Sequence, residues 1–282
     1  MITHRSRLLQ AACALLATVA LTGMGLAAGP GAAHASTSGV KTITPGVLTV
    51  AEDGDMPYTG LDQATGKMIG VDGEFMEAAA RDLRLKVKPV AMDWAPEVPS
   101  VQSNRVDTLT GGMYYTAARA RIVNITKPCW YDFTAFIERS GSHISTVPGL
   151  KGHPVGTVQG FLFVPDLQKI SYVGPSLHLY QTIDAALQDL ASGRIDVVVT
   201  GAASGAWHAA KRPEWKLKVV LPKPDKAFPE TLVKGHVSYA VNKGNPSLLA
   251  ALNKEIARLR ANGTIRRILA KYGMGNAGFF NP

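Results

Sequence analysis

Two extended segments, residues 131–138 and 236–242, constrain the fold of this chain more than any other feature, because one α/β unit lies between them and another lies outside them. In the outer unit, residues 47–51 read as a short core strand. Phe75, Ala78, Ala79 and Leu83 fall at helical spacing over residues 71–83, with Asp72 placed to cap the start. Residues 85–90 alternate like a strand, a helix follows over 97–104, and a further strand ends near Gly111. In the inner unit, residues 154–158 form a strand ending at Gln159 and Gly160, residues 182–190 carry an apolar helical face, residues 195–199 form a second buried strand, and residues 201–210 turn helical around Trp207. Past the second extended segment, Pro246 and Ser247 open a helix that Asn262 and Gly263 stop, and a final helix covers residues 264–271. Strand-helix-strand passages of this kind build layered α/β domains. The expected organisation is a first lobe from residues 46–133, a second lobe with hinge from 134–235, and a return crossing with C-terminal helices of the first lobe over 236–282. Two crossings make a hinge, and a cleft between the lobes, geometrically natural.

The N-terminus carries a different signal. Arg5 and Arg7 precede an apolar run over residues 8–28, Gly29-Pro30-Gly31 breaks it, and Ala33-His34-Ala35 is a small-x-small cleavage site. Residues 1–35 therefore read as a secretory signal peptide cleaved near Ala35, followed by a polar leader over 36–45. Its removal takes away Arg5 and Arg7 and lowers the formal charge from +9 to +7. No basic cluster is dense enough for a nucleic-acid track. Cys129 becomes the only cysteine, so stability must come from packing rather than from a disulfide. No phosphate loop, dinucleotide fingerprint or metal-ligand spacing is present, so no cofactor or metal is expected, and His143, His153, His178, His208 and His236 read as surface or packing residues.

The densest chemistry lies in Gly111-Gly112-Met113-Tyr114-Tyr115-Thr116-Ala117-Ala118-Arg119, where a strand empties into two glycines, two tyrosines and a helix cap. A guanidinium beside a helix start offers a planar anion two parallel donors, which points to Arg119 as an anion ligand. Gly112 lets a solute approach the backbone, although a tight turn needs glycine equally. Tyr114 can narrow a pocket and supply a hydroxyl, while Trp94 and Trp130 read as cleft or core residues. In the loop after the first strand, Asp53 or Asp55 can meet a ligand cation or bond its own turn. Gln159 and Gly160 end a strand where backbone N–H groups can hold an anion, and Phe161 can cover apolar ligand surface.

Several passages together resemble the extracytoplasmic solute-binding proteins of polar amino-acid ABC transporters, bacterial family 3. They are residues 94–107 (WAPEVPSVQSNRVD), residues 116–128 (TAARARIVNITKP), Leu150-Lys151-Gly152 with Val155-Gly156, Gly193-Arg194-Ile195-Asp196, and Asn262-Gly263-Thr264. The resemblance covers nearly all of residues 46–275 and implies the α/β two-lobe periplasmic-binding-protein type II fold. It further implies a monomer that captures a small molecule in the periplasm and delivers it to an inner-membrane ABC permease. Arg119 matches the arginine that grips an α-carboxylate, and Asp53 matches a loop aspartate. Two departures qualify the match. Where hydroxyl residues are expected after the strand-ending glycine, this chain has Gln159-Gly160-Phe161-Leu162, and the aspartate expected after Thr200 for an α-ammonium is replaced by Gly201. The expected ligand is accordingly a carboxylate-bearing organic solute or an atypical amino acid. Exported dehydratases of cyclohexadienyl type share this architecture, but the carboxylic residues expected after residue 200 are Gly201 and Ser204 here. A sensory binding protein is the other alternative.

Overall fold

The computed structural model describes residues 39–282; the expected signal peptide and the first three residues of the polar leader lie outside them. Strand β1 (Val47–Glu52) is buried along nearly its whole length because it is the centre of a parallel three-stranded sheet, β4-β1-β5. Its neighbours are β4 (Lys86–Ala91) and β5 (Thr108–Leu109), with Val50 opposite both Pro89 and Thr108. Pro89 is tolerated because β4 is an edge. Between β1 and β4 come a small hairpin, β2 (Gly60–Leu61) with β3 (Met68–Ile69), and helix α1 (Gly70–Asp82). Phe75 of α1 stacks on Tyr239 at 4.8 Å between ring centres. The sequence placed Asp72 at the helix cap, but Ile69 holds that position and makes no side-chain cap. Asp72 is instead wholly buried and turned toward the core, where polar donors converge on it.

Helix α2 (Glu97–Gln102) precedes β5, and α3 (Ala117–Ile122) follows it, capped by Thr116, whose Oγ1 accepts from the Arg119 N–H at 3.1 Å. The chain then runs through β6 (Asn124–Ile125) and β7 (Trp130–Asp132) into the second lobe. Its five-stranded sheet has the order β10-β9-β11-β8-β12. These strands are β8 (Thr134–Arg139), β9 (Val155–Val158), β10 (Leu177–Tyr180), β11 (Val197–Gly201) and β12 (Leu217–Val220). The βαβ strands β9, β10 and β11 run parallel, whereas β8 is antiparallel to both β11 and β12. Helices α4 (Val164–Lys169), α5 (Ile183–Ser192) and α6 (Ala202–Lys211) belong to this lobe. Thr182 caps α5 and Gly193, at φ 80°, ends it, as a left-handed C-terminal residue should. Asp196 is structural, bound to Arg139 at 2.7 Å and His153 at 2.9 Å.

The return path is β13 (Gly235–Val237) and β14 (Ala240–Val241). The two crossings pair with each other: Trp130, Tyr131 and Asp132 of β7 lie opposite Val237, His236 and Gly235 of β13. The hinge is therefore a two-stranded antiparallel ribbon. Helices α7 (Pro246–Ala261), α8 (Thr264–Lys271) and α9 (Ala277–Phe280) complete the chain. Asn245, rather than Ser247, caps α7 by accepting from the Leu248 N–H.

Candidate functional site

The site is built around the turn that follows β5. Gly111 and Gly112 have φ of 90° and 70°, a region only glycine enters without strain, and a Cβ on Gly112 would lie 2.9 Å from the Tyr58 ring. Asp72 holds this turn: its carboxylate accepts from the Gly112 N–H at 2.8 Å, the Trp130 indole N–H at 2.7 Å and the Tyr239 hydroxyl at 3.0 Å. Burial pushes the Asp72 carboxyl up to about 6 although those donors oppose the shift. Trp130, read from sequence as a cleft or core residue, is a buried brace behind Tyr58, 5.5 Å from it between ring centres.

Arg119 lies on α3 and reaches across the interlobe boundary. Its guanidinium donates to the Tyr114 carbonyl at 2.8 Å and to the Gly160 carbonyl of the second lobe at 3.2 Å, and sits 5.3 Å from the Trp94 ring centre. Trp94 Nε1 donates to the same Gly160 carbonyl at 3.1 Å. The sequence suggested that N–H groups around Gly160 face an anion; in this arrangement its carbonyl faces Arg119, and the Phe161 N–H is bound to Val158. Burial pushes the Arg119 guanidinium down to about 10, with the Glu97 carboxylate opposing. Glu97 is fully buried, neither of its oxygens has a hydrogen-bond partner among the described residues, and burial holds its carboxyl well above the usual range.

A cavity of about 20 Å³ opens beside Arg119, lined by Tyr58, Trp94, Gly112, Tyr114, Phe161, Leu162, Phe163, Thr200 and Gly201 among others. The Tyr114 hydroxyl is buried close to the Asp132 carboxylate, and Thr200 Oγ1 is buried without a hydrogen-bond partner among the described residues. Of the residues singled out in the sequence, this cavity unites Arg119, Gly112, Tyr114, Trp94, Phe161, Thr200 and Gly201. Gln159 stays outside, exposed, with its Oε1 3.4 Å from Gln181 Nε2. Asp53 and Asp55 line a neighbouring cavity of about 240 Å³ that shares Phe161 and adds Gln181, Thr182 and Asp184.

Three residues at the site were missed in the sequence. Tyr58 donates to Asp132 Oδ2 at 2.5 Å, and Asp132 Oδ1 accepts from the Phe133 and Ala203 N–H groups at 2.8 and 3.3 Å. A Cβ on Gly201 would collide with the Tyr58 hydroxyl and lie 2.6 Å from Asp132 Oδ2 and 3.0 Å from the Tyr114 hydroxyl. Position 201 thus carries no carboxylate, and the hinge carboxylate of Asp132 packs beside it under the Tyr58 hydroxyl. Burial pushes the Asp132 carboxyl up to about 6, opposed by the Tyr58 hydroxyl. His208, read from sequence as a surface or packing residue, is buried between two carboxylates, with Nε2 3.4 Å from Asp55 and Nδ1 3.3 Å from Asp184. Only a lone acidic residue within an aromatic run, Trp130-Tyr131-Asp132-Phe133, could have drawn attention to Asp132.

Two α/β lobes joined by a paired-strand hinge, with a cleft between them, define a binding protein of the type II periplasmic architecture. The model for bacterial extracellular solute-binding proteins, family 3, matches residues 48–275, and the chain belongs to that family. It is 27% identical over 230 residues to a probable amino-acid-binding protein, YxeM, of Bacillus subtilis, covering 80% of this chain and 83% of that one. It is 26% identical over 268 residues to the lysine/arginine/ornithine-binding periplasmic protein of Escherichia coli, covering 92% and 95%. Among solved structures it is similar to an ancestral arginine-binding protein bound to glutamine, with a TM-score of 0.73, 28% identity, and coverage of 83% of this chain and 100% of that one.

Proposed function

We propose that this protein captures a small carboxylate-bearing organic solute, or an atypical amino acid, in the periplasm and hands it to an inner-membrane ABC permease. The observation that carries the reading is the Arg119 guanidinium at the edge of a cavity lined also by Tyr114 and Thr200, with Thr200 Oγ1 buried and without a hydrogen-bond partner among the described residues. A planar carboxylate accepts two parallel bonds from a guanidinium, and a buried hydroxyl gains when a solute supplies its missing partner. The relatives named for amino acids agree with a carboxylate at this place.

A cavity of about 20 Å³ has room for roughly one water, so a solute enters only when the lobes separate. Entry then requires the guanidinium to exchange the Gly160 carbonyl for the solute. Closure over the bound solute is a population shift driven by contacts made only in the closed form. The test is to denature and refold the mature protein, removing retained solutes, and to screen organic acids, aromatic acids and amino acids by thermal shift, with calorimetric confirmation. Saturable binding without turnover supports capture; product formation in the same mixtures assigns the protein to the enzymes of this architecture instead.

A further inference from the structure

We infer that residues 276–282 form a clasp over the hinge ribbon that holds the two lobes in the closed arrangement, and so favours closure before any solute is bound. These residues lie past the segment 48–275 that the family model matches.

The ribbon has a first-lobe end and a second-lobe end. Strands β7 and β13 pair from Trp130 opposite Val237 to Asp132 opposite Gly235. Cys129 precedes β7 on the first-lobe side, with its N–H bound to the Val237 carbonyl at 2.8 Å. On the second-lobe side the next residues are Phe133 and Lys234, and the Phe133 carbonyl accepts from the Ala202 N–H of α6 at 2.8 Å. Rotation of the lobes about the ribbon moves these two ends relative to each other.

The tail is fastened to both ends. On the first-lobe side, Arg260 of α7 donates to the Cys129 carbonyl at 2.7 Å and to the Phe280 carbonyl at 2.6 Å. Its guanidinium lies 4.1 Å from the centre of the Phe280 ring, and that of Arg266, on α8, lies 4.4 Å from the same centre. On the second-lobe side, Phe279 meets the Phe133 ring edge-on, 5.7 Å between centres. Lys234 Nζ donates to the main-chain oxygens of Asn281 and Pro282 at 3.2 and 3.3 Å, and lies 5.5 Å from the centre of the Phe133 ring. Asn276 caps α9 by accepting from the Gly278 N–H at 2.9 Å. Glycine at 278 permits the close approach, since a Cβ there would stand 3.1 Å from the Phe133 ring.

Arg260 and Arg266 belong to helices of the first lobe, whereas Phe133 and Lys234 travel with the second. Opening must therefore break or rearrange one set of these contacts, and a segment that favours the closed form without solute adds to the affinity for every solute bound in that form.

The test compares the mature chain with the same chain ending at Gly275, both refolded without solute, by small-angle scattering and amide hydrogen exchange. The shortened chain should have the larger radius of gyration, and its β7 and β13 amides should exchange about tenfold faster while those of β1 keep their rates. A chain carrying Phe279→Ala and Lys234→Ala together keeps the tail, and should shift both readouts the same way even if the shortened chain does not fold. Equal radii, or unchanged exchange in β7 and β13, overturn the inference. Acceleration that extends equally to β1 overturns it too, because the tail would then stabilise the fold in general rather than the hinge.

Discussion

Ser204 Oγ donates to Asp55 Oδ1 at 2.6 Å, joining helix α6 of the second lobe to the loop after β1 in the first. Both side chains are buried, and the Ser204 N–H also approaches the Tyr58 hydroxyl at 3.3 Å. Removing the hydroxyl with Ser204→Ala leaves Asp55 Oδ1 with one fewer donor across the cleft. We expect the closed form to lose about 1–2 kcal/mol. Small-angle scattering of the ligand-free variant should then show a larger radius of gyration than the wild type.

His208 gives this contact a pH dependence. Burial lowers its pKa, but the carboxylates of Asp184 and Asp55 outweigh that effect and push it up to about 9. A histidine whose folded pKa is raised contributes stability that is fully present below its unfolded value of about 6.5 and is lost as pH rises through its folded value. Stability should therefore fall by about 3 kcal/mol between roughly pH 6.5 and 9.5. His208→Gln should flatten that slope in denaturant titrations at successive pH values.

Asp72 is the brace of the binding turn, so its loss should be felt in the whole fold. Asp72→Ala leaves the Gly112 N–H, the Trp130 indole and the Tyr239 hydroxyl buried without an acceptor. Urea unfolding should show a loss of about 3–5 kcal/mol. A loss below about 1 kcal/mol would mean that these donors find other partners.

Gly201→Asp places a carboxylate where this chain has none. If position 201 alone governed recognition of a cation, the substitution would add amino-acid affinity. The geometry predicts the reverse, because the new side chain would enter the space of the Tyr58 hydroxyl and bring a second carboxylate against Asp132. Calorimetry should show weaker binding of every amino acid tested and a lower melting temperature.

How far the sequence could be read depended on whether the information was local. The core strands, the apolar face of α5 from Thr182 to Leu190, and α8 over residues 264–271 were legible because their periodicity lies within each segment. Arg119 beside its Thr116 cap was legible for the same reason. Asp72 was misread because a carboxylate in a first turn looks like a cap, while its real partners, Gly112, Trp130 and Tyr239, are distant in sequence. Asp132 and Tyr58, 74 positions apart, meet only through the tertiary fold. His208 joins Asp55 to Asp184 across the lobes, and no spacing rule encodes such a pairing.

Capture as proposed depends on Arg119 holding the carboxylate of the solute. The direct measurement is calorimetric titration of the refolded wild type and Arg119→Ala with the tightest carboxylate ligand found in the screen, with circular dichroism confirming that the variant is folded. Loss of about 2–4 kcal/mol of binding free energy, or of all detectable heat, is the predicted result, since a buried charge-assisted bidentate contact is removed. An affinity within about twofold of the wild type would contradict the account and place the solute elsewhere.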